Sequence, residues 1–116
     1  MLSTLFILND APYGNERAYN ALRLAAALAG KEGQQVRMFL LADAVTCAKS
    51  GQKVPEGYYS VQLMLGKIAR KGEVLLCGAC MDARGLRVEE LMEGTQRSTL
   101  AQLADWTVEA DKVLVF

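Results

Sequence analysis

Two cysteines three residues apart are the feature of this sequence with the clearest capacity for chemistry. The stretch L-L-C-G-A-C-M-D-A-R-G spans residues 75–85 and contains Cys77 and Cys80 in a C-x-x-C motif. The apolar run that ends at Cys77 is typical of a buried strand, and small residues follow it. Such a pair can bind a metal, form a redox couple, carry sulfur or fill space as two small hydrophobic side chains.

Ligand arithmetic argues against a metal site. Structural zinc normally takes four cysteine or histidine ligands, whereas this chain has three cysteines and no histidine. We therefore expect no metal and no cofactor. A redox couple stays open, because C-G-A-C differs by one residue from the C-G-P-C of thioredoxins. Neither Pro12 nor Pro55 follows the cysteines, however, so the proline that faces the thioredoxin dithiol is missing.

The surroundings of the three cysteines separate a space-filling role from a reactive one. Cys47 lies among alanines and a valine, which predicts a buried structural thiol. Cys77 is followed by small residues, and Arg84 and Arg87 are close in sequence, so the pattern favours a thiolate that reacts well below pH 8.5. Sulfur transfer needs such a thiolate, but neither histidine nor metal. The sulfur carrier thus stays open beside the redox couple.

Apolar runs alternate with helical patterns along the chain, which indicates a parallel sheet covered on both faces. The length of 116 residues fits one domain, 1–116. We predict helices over 15–29 with Asn15 as N-cap, over 58–70, over 86–93 ending at Gly94, and from a cap at Ser98 or Thr99 to 109. Strands are predicted at 4–8, 36–42, 73–77 and 111–116, and residues 43–57 are predicted as a loop.

Parallel sheets bind ligands beyond the carboxyl ends of their strands. Cys77 is predicted at such an end, and the loop after the first strand should lie at the same edge. Asp10, Tyr13 and Gly14 are therefore expected to face one crevice with Cys77, at a helix N-terminus that could bind an anion or serve only as a cap and turn. The loop that contains Lys53 is interpreted as a lid or an interface element.

Charge and hydropathy restrict the partners. The 13 basic and 13 acidic residues cancel, which argues against nucleic-acid binding. No signal peptide and no apolar run of about 18 residues is visible, so we expect a cytoplasmic protein that does not bind membranes. The first helix and the helix at 58–70 are more apolar than one buried face requires, which predicts a homo-oligomer.

Several motifs together resemble the DsrE/DsrF-like sulfur-relay family, and within it the YchN-like branch. The resemblance covers essentially the whole length. It rests on N-D-A-P-Y-G-N-E after the first strand, F-L-L-A-D-A-V at the second, G-Q-K-V-P-E-G-Y in the loop, L-C-G-A-C-M-D-A-R-G, and L-A-D-W-T-V-E-A-D-K-V-L-V-F at the end. It implies a three-layer α/β/α sandwich with a mainly parallel sheet of about five strands. It also implies a homo-oligomer, often a hexamer, which exchanges sulfur with a donor or acceptor protein.

Relatives of this family carry sulfur as a cysteine persulfide, on a cysteine that ends a strand and precedes an Arg-Gly pair. By that spacing from Arg84 and Gly85, the resemblance implies Cys77 as the carrier. Cys80 would resolve the persulfide or tune the pKa of Cys77. Arg84 would stabilise the anionic sulfur, unless it forms an ion pair with Asp82 or a glutamate. Gly78 and Gly85 would permit tight turns. A thiol–disulfide oxidoreductase and a non-catalytic oligomeric binding module are the alternatives.

Overall fold

Strands and helices alternate along the chain in this computed structural model, which describes all 116 residues. Four α-helices and five strands are joined by loops and by two 3-10 helices, at Ala42–Ala48 and Val88–Glu90. None of the helices combines the length and the apolar character needed to cross a bilayer. The elements are β1 (Leu2–Leu8), α1 (Arg17–Ala29), β2 (Gln34–Leu40), α2 (Val61–Lys71), β3 (Glu73–Cys77), α3 (Gly78–Ala83), β4 (Thr95–Ser98), α4 (Leu100–Glu109) and β5 (Lys112–Val115).

The five strands form one sheet in the order β4-β3-β2-β1-β5, and every neighbouring pair is parallel. From β1 to β4 the chain steps steadily towards one side, and the α4 connection then returns β5 to the other side of β1. All carboxyl ends consequently lie at one edge of the sheet. This arrangement confirms the predicted α/β class with a parallel sheet of about five strands.

The larger core lies between one face of the sheet and helices α1 and α2. Alternate strand residues such as Phe6, Met38 and Leu76 are buried there, as the two-residue period of a strand requires. Helix α1 contributes side chains at the three- and four-residue spacing that places them on one face. Those side chains are Ala18, Ala21, Leu22 and Ala25.

The opposite face of the sheet is covered by α4 alone. Leu5 and Phe39 pack there against Leu103 and Trp106 of that helix, and the Trp106 ring meets Phe39 edge-on with centroids 6.2 Å apart. Cys77 belongs to this smaller cluster. The sheet therefore separates two helical layers, and the Cys77 side chain lies on the sparsely covered side.

The structure corrects the prediction between residues 78 and 98. Helix α3 and strand β4 were not predicted, and the helix expected over 86–93 is only the 3-10 turn Val88–Glu90. Strand β4 reads T-Q-R-S and pairs on one side only, with β3. An edge strand with an open side tolerates polar residues, so it lacks the apolar pattern that reveals a central strand.

The helices begin within three residues of the predicted starts; Glu16 rather than the predicted Asn15 is the N-cap of α1, and its side chain makes no capping hydrogen bond. Thr99 caps α4, since its Oγ1 accepts a hydrogen bond from Gln102 N–H at 3.1 Å. Helix α1 begins at Arg17, where the Asn15 side chain accepts the Arg17 N–H at 2.9 Å. Helix α2 begins after Ser60 rather than at residue 58. The predicted loop over 43–57 also contains most of the first 3-10 helix.

Candidate functional site

Cys77 is both the last residue of β3 and the N-cap of α3. Its Sγ accepts a hydrogen bond from the Cys80 backbone N–H at 3.2 Å. The strand runs into the helix without a loop, so the sulfur occupies the position where a serine or aspartate oxygen usually caps a helix. A backbone amide therefore contacts the one thiol that the sequence singled out as reactive.

Burial raises the pKa of the Cys77 thiol above its ordinary value, and a side-chain hydrogen bond with Cys80 raises it further. The backbone amides of Cys80 and Ala79 act in the opposite direction with smaller effect. The raised pKa is opposite to the depressed value that the sequence pattern favoured. A thiolate of higher pKa is scarcer at neutral pH, although each one is a stronger nucleophile.

A pocket of about 480 Å³ opens beside the sulfur, between the first turn of α3 and the start of α4. Its lining is mainly apolar or small, and one residue in it is charged. The pocket is large enough for a small molecule or for the side chain of a partner. The lining residues are Leu41, Cys77, Gly78, Ala79, Cys80, Arg97, Ser98, Thr99 and Leu100.

Arg97 is the cation of this pocket, and sequence reasoning missed it. Its Nη1 and Nη2 donate to the two carboxylate oxygens of Asp82 at 2.7 and 2.9 Å. The guanidinium lies directly on Gly78: a Cβ added there would be 2.8 Å from the Arg97 Cζ. Gly78 is thus needed for a close approach, and not for the tight turn that the sequence suggested. The parallel pairing of β3 with β4 brings Arg97 beside the cysteine motif.

Arg84 occupies a different position from the one expected of it. Its Nε donates to Asp43 at 2.9 Å, and its Nη1 donates to the carbonyl of Cys80 at 3.0 Å. The arginine therefore ties the end of α3 to the 3-10 helix after β2. Its acidic partner is Asp43, whereas Asp82 is paired with Arg97, so the structure corrects both the proposed sulfur contact and the proposed ion pair.

Gly85 ends α3 in a Schellman motif. The N–H of Gly85 donates to the carbonyl of Asp82 at 3.2 Å, and the N–H of Leu86 donates to that of Met81 at 3.0 Å. Gly85 has φ of 63°, a left-handed conformation that glycine adopts without steric cost. The Arg-Gly pair thus terminates the short helix that Cys77 begins, and it keeps Leu86 in the larger core.

Asp10, Tyr13 and Gly14 do not line the Cys77 pocket. Asp10 forms an ion pair with Arg17 at 2.8 Å, and Gly14 has φ of 109° in the turn before α1. The loop after β1 passes to the α1 side of the sheet, whereas the Cys77 side chain lies on the α4 side. The same carboxyl edge therefore carries two separate surfaces.

Tyr13 belongs to a cluster that contains all four tyrosines of the chain. Its hydroxyl donates to the carbonyl of Tyr59 at 3.2 Å and accepts the N–H of Val61 at 3.0 Å. These bonds attach the loop after β1 to the start of α2. Lys53 lies in another groove, of about 370 Å³, with Gln52, Val54 and residues at the start of α2.

The two cysteines of the motif are free thiols with no metal-binding group around them. Nowhere does the chain bring together three cysteine, aspartate or glutamate side chains in a group that could hold a metal ion. Cys80 is half-buried and Cys77 is 7% exposed, and both are free thiols. The arrangement can form a covalent bond to sulfur at Cys77, with a second thiol three residues away.

Known proteins are similar to this chain over essentially its full length. The model of the DsrE/DsrF-like family matches residues 3–116. Protein YchN of Escherichia coli is 44% identical over 117 residues, which covers 100% of both chains. An uncharacterised protein of Methanopyrus kandleri is 41% identical over 110 residues, which is 95% of this chain and 90% of that protein.

Solved structures agree with this result. The crystal structure of YchN from Escherichia coli matches with a TM-score of 0.94, at 44% identity and with 100% of both chains covered. A protein of unknown function from Methanobacterium thermoautotrophicum is only 12% identical, yet matches with a TM-score of 0.77 over 100% of both chains. The second match shows a shared fold alone.

Proposed function

Because this chain belongs to the DsrE/DsrF-like family, we propose that it is a sulfur-relay protein that carries sulfur as a persulfide on Cys77. The observation that carries the proposal is the position of the Cys77 sulfur. It caps α3, accepts the Cys80 N–H at 3.2 Å and lines an open pocket beside a guanidinium. Each of these neighbours stabilises negative charge on a sulfur atom more than it stabilises a neutral thiol.

Sulfur uptake needs no oxidant. The Cys77 thiol loses its proton, and the thiolate attacks the outer sulfur of a donor persulfide. A new S–S bond forms at Cys77 as the S–S bond of the donor breaks, and the donor leaves as a thiolate that takes up the proton. Delivery is the same exchange in reverse, with an acceptor thiolate attacking the outer sulfur on Cys77.

The raised pKa of Cys77 is compatible with this exchange. A persulfide is more acidic than the thiol from which it forms, so it holds the negative charge more readily in the same surroundings. The amide of Cys80 then has an anionic neighbour, while the free thiol stays largely protonated and protected from oxidation. The site would favour the loaded state over the empty one.

A thiol–disulfide oxidoreductase is the second candidate, and one observation favours it. Cys77 at a helix N-cap, with Cys80 three residues later and its backbone N–H donating to the Cys77 sulfur, is the arrangement of a C-x-x-C redox couple. In that reaction the two thiols release two electrons and two protons to a substrate disulfide, which becomes two thiols. This reaction requires both cysteines, whereas the relay requires Cys77 alone.

Intact-mass spectrometry separates these functions. Reduced protein is incubated with a persulfide donor, using wild type, Cys77→Ser and Cys80→Ser. The relay predicts an added sulfur that is lost in Cys77→Ser and kept in Cys80→Ser. Loss of two hydrogens on mild oxidation without added sulfur would support the oxidoreductase. An unchanged mass in both treatments would leave the non-catalytic binding module.

We further propose that the relay protein is a cytoplasmic homo-oligomer and that this oligomer is a hexamer. Exposed apolar side chains remain on both helices that the sequence singled out, among them Leu24 on α1 and Leu63 on α2. Further exposed apolar side chains occupy α4 and β5, among them Leu100, Val113 and Val115. Light scattering after gel filtration measures the subunit number, and a monomer at micromolar concentration would contradict this part.

A further inference from the structure

Arg97 is the one charged residue that lines the Cys77 pocket. The Asp82 carboxylate holds its two terminal nitrogens at 2.7 and 2.9 Å, and its Nε–H has no acceptor within the chain. A cation with an unused donor therefore lies in the same small pocket as the reactive sulfur. The sulfur exchange described above gives this residue no contact with the donor.

The approach of Arg97 to Cys77 depends on local features of this sequence. The absence of a side chain at Gly78 leaves room for the guanidinium, because a Cβ there would lie 2.8 Å from both Cζ and Nε of Arg97. Asp82, one turn further along α3, holds the guanidinium in place by accepting hydrogen bonds from its terminal nitrogens. The ion pair is largely exposed, so its effect on stability is small. The same guanidinium can still select among the reagents that enter the pocket by their charge.

We propose that Arg97 is a specificity-determining residue that makes Cys77 prefer small reagents with a negative charge next to the atom that reacts with the sulfur. A guanidinium edge matches planar or oxygen-rich anions, and a pocket of about 480 Å³ admits small molecules. The biological meaning of this preference rests on the proposed sulfur relay: the donor would be a small anionic sulfur compound.

The transfer from such a donor balances in the same way as before. The Cys77 thiolate attacks the sulfane sulfur, a new S–S bond forms, and the electron pair of the broken bond leaves with the rest of the donor as an anion. Arg97 contacts the charge that the donor brings in. It neither gains nor loses a proton, because an arginine stays protonated throughout.

The test measures charge preference without any sulfur chemistry. Rates of alkylation of Cys77 are measured for iodoacetate, which is an anion, and for iodoacetamide, which is its neutral counterpart. A Cys80→Ser background leaves Cys77 as the accessible thiol, and peptide mass spectrometry verifies the modified site. The ratio of the two rates cancels changes in access and in thiolate fraction, so it reports the charge of the pocket.

In this background Arg97→Gln should lower the iodoacetate-to-iodoacetamide ratio about fivefold, the effect of one charge at about 4 Å in water. Arg23→Gln is the matched control, since Arg23 is exposed on α1 and contacts Asn20 and Tyr19. Its ratio should equal that of the parent. Asp82→Asn should raise the ratio, because it leaves Arg97 uncompensated. An opposite change of this kind cannot come from a folding defect.

An unchanged ratio in folded Arg97→Gln, or a ratio that fails to rise in Asp82→Asn, would overturn the proposal. Sulfur loading of the same preparations distinguishes this failure from failure of the relay. A ratio that depends on Arg97 in a protein that takes up no sulfur supports the specificity of the pocket and contradicts the relay. Sulfur uptake with an unchanged ratio supports the relay and removes Arg97 from it.

Discussion

Cys47 lies in the 3-10 helix after β2 and Cys77 at the end of β3, and both are buried thiols, yet their surroundings differ. Cys47 lies in the larger core, where its one polar contact is with the carbonyl of Asp10 at 3.8 Å, and burial raises its pKa to about 12. Cys77 accepts a backbone N–H and lines an open pocket. Burial by itself makes a thiol inert, and chemistry requires a donor for the anion and a path to solvent.

Chain direction after the strand accounts for the difference. After β2 the chain turns at Ala42, with φ of 49°, into a 3-10 helix that packs its inner side chains into the larger core. After β3 the chain enters α3 at once, so Cys77 keeps its strand orientation on the α4 side while its sulfur meets the first amides of the helix. The direction of the chain after each strand therefore separates the core residue Cys47 from the pocket residue Cys77.

The largest expected effect is in alkylation by a neutral reagent. Cys77 should react in the native state, whereas Cys47 should react only when the chain unfolds. The alkylation rate of Cys47 should therefore be at least about a thousandfold lower than that of Cys77, because only the small unfolded fraction of an ordinary domain exposes it. Peptide mass spectrometry over time, with and without urea, measures both sites. Comparable alkylation rates for the two cysteines in native protein would contradict the claim that only Cys77 is accessible.

A smaller effect is expected in the stability at alkaline pH. The Cys47 pKa is 9.0 in the reference state and about 12 when folded, so the unfolded chain loses this proton first as pH rises. The stabilisation is present below pH 9 and is lost by about 1.4 kcal/mol per pH unit between pH 9 and the folded value. Cys47→Ala should lose less stability than wild type between these limits.

Urea unfolding at a pH below 9 and at a pH near 11 measures this difference. Cys47→Ala will be the less stable protein at the lower pH, because it leaves a small cavity in the core. The gap between the two proteins should narrow as the pH rises. A constant gap would mean that the Cys47 thiol is less enclosed than its position in the core indicates.

The smallest effect is expected from Gly78→Ala, which tests whether the position of the Arg97 guanidinium affects the reactivity of Cys77. The new methyl group displaces the Arg97 guanidinium, so the charge preference should fall by about twofold. Gly78 is the first residue of α3, where helix propensity contributes less than in a helix interior, and the displaced ion pair is largely exposed, so the stability should be nearly unchanged. Alkylation ratios and urea unfolding measure the two effects.

Gly66→Ala is the matched control for that change. Gly66 lies in α2, where an added Cβ would be in ordinary contact with Met92 at 3.4 Å. This variant should gain stability through helix propensity and keep the parent alkylation ratio. If both variants lower the ratio equally, the change at Gly78 does not act through Arg97.

The strand that carries Cys77 was predicted well, whereas the side chains around its sulfur were not. The apolar runs of β1, β2, β3 and β5 revealed the sheet, and the end of β3 revealed Cys77. Arg84 was expected at the sulfur because it follows Cys77 by seven residues. Those seven residues form a helix and its Schellman turn, which carry Arg84 to Asp43. Two residues that are close in sequence need not be in contact when a helix and its terminal turn lie between them.

Arg97 illustrates the opposite error. It follows Cys77 by twenty residues, yet the parallel pairing of Cys77 with Ser98 places β4 alongside the motif. The pairing was invisible because β4 is short, polar and at the edge of the sheet. The cap at Thr99 was predicted, and a strand ending just before it would have been the signal to look for.

The hydrogen bond from the Cys80 amide to the Cys77 sulfur gives the protein an internal spectroscopic reporter. The chemical shift of an amide proton depends strongly on the charge and polarisability of its acceptor. One cross-peak in a nitrogen–proton correlation spectrum should therefore distinguish thiol, thiolate, persulfide and alkylated sulfur. The chemical state of Cys77 can then be followed in solution, in real time, from the neighbouring backbone and without a label on the sulfur itself.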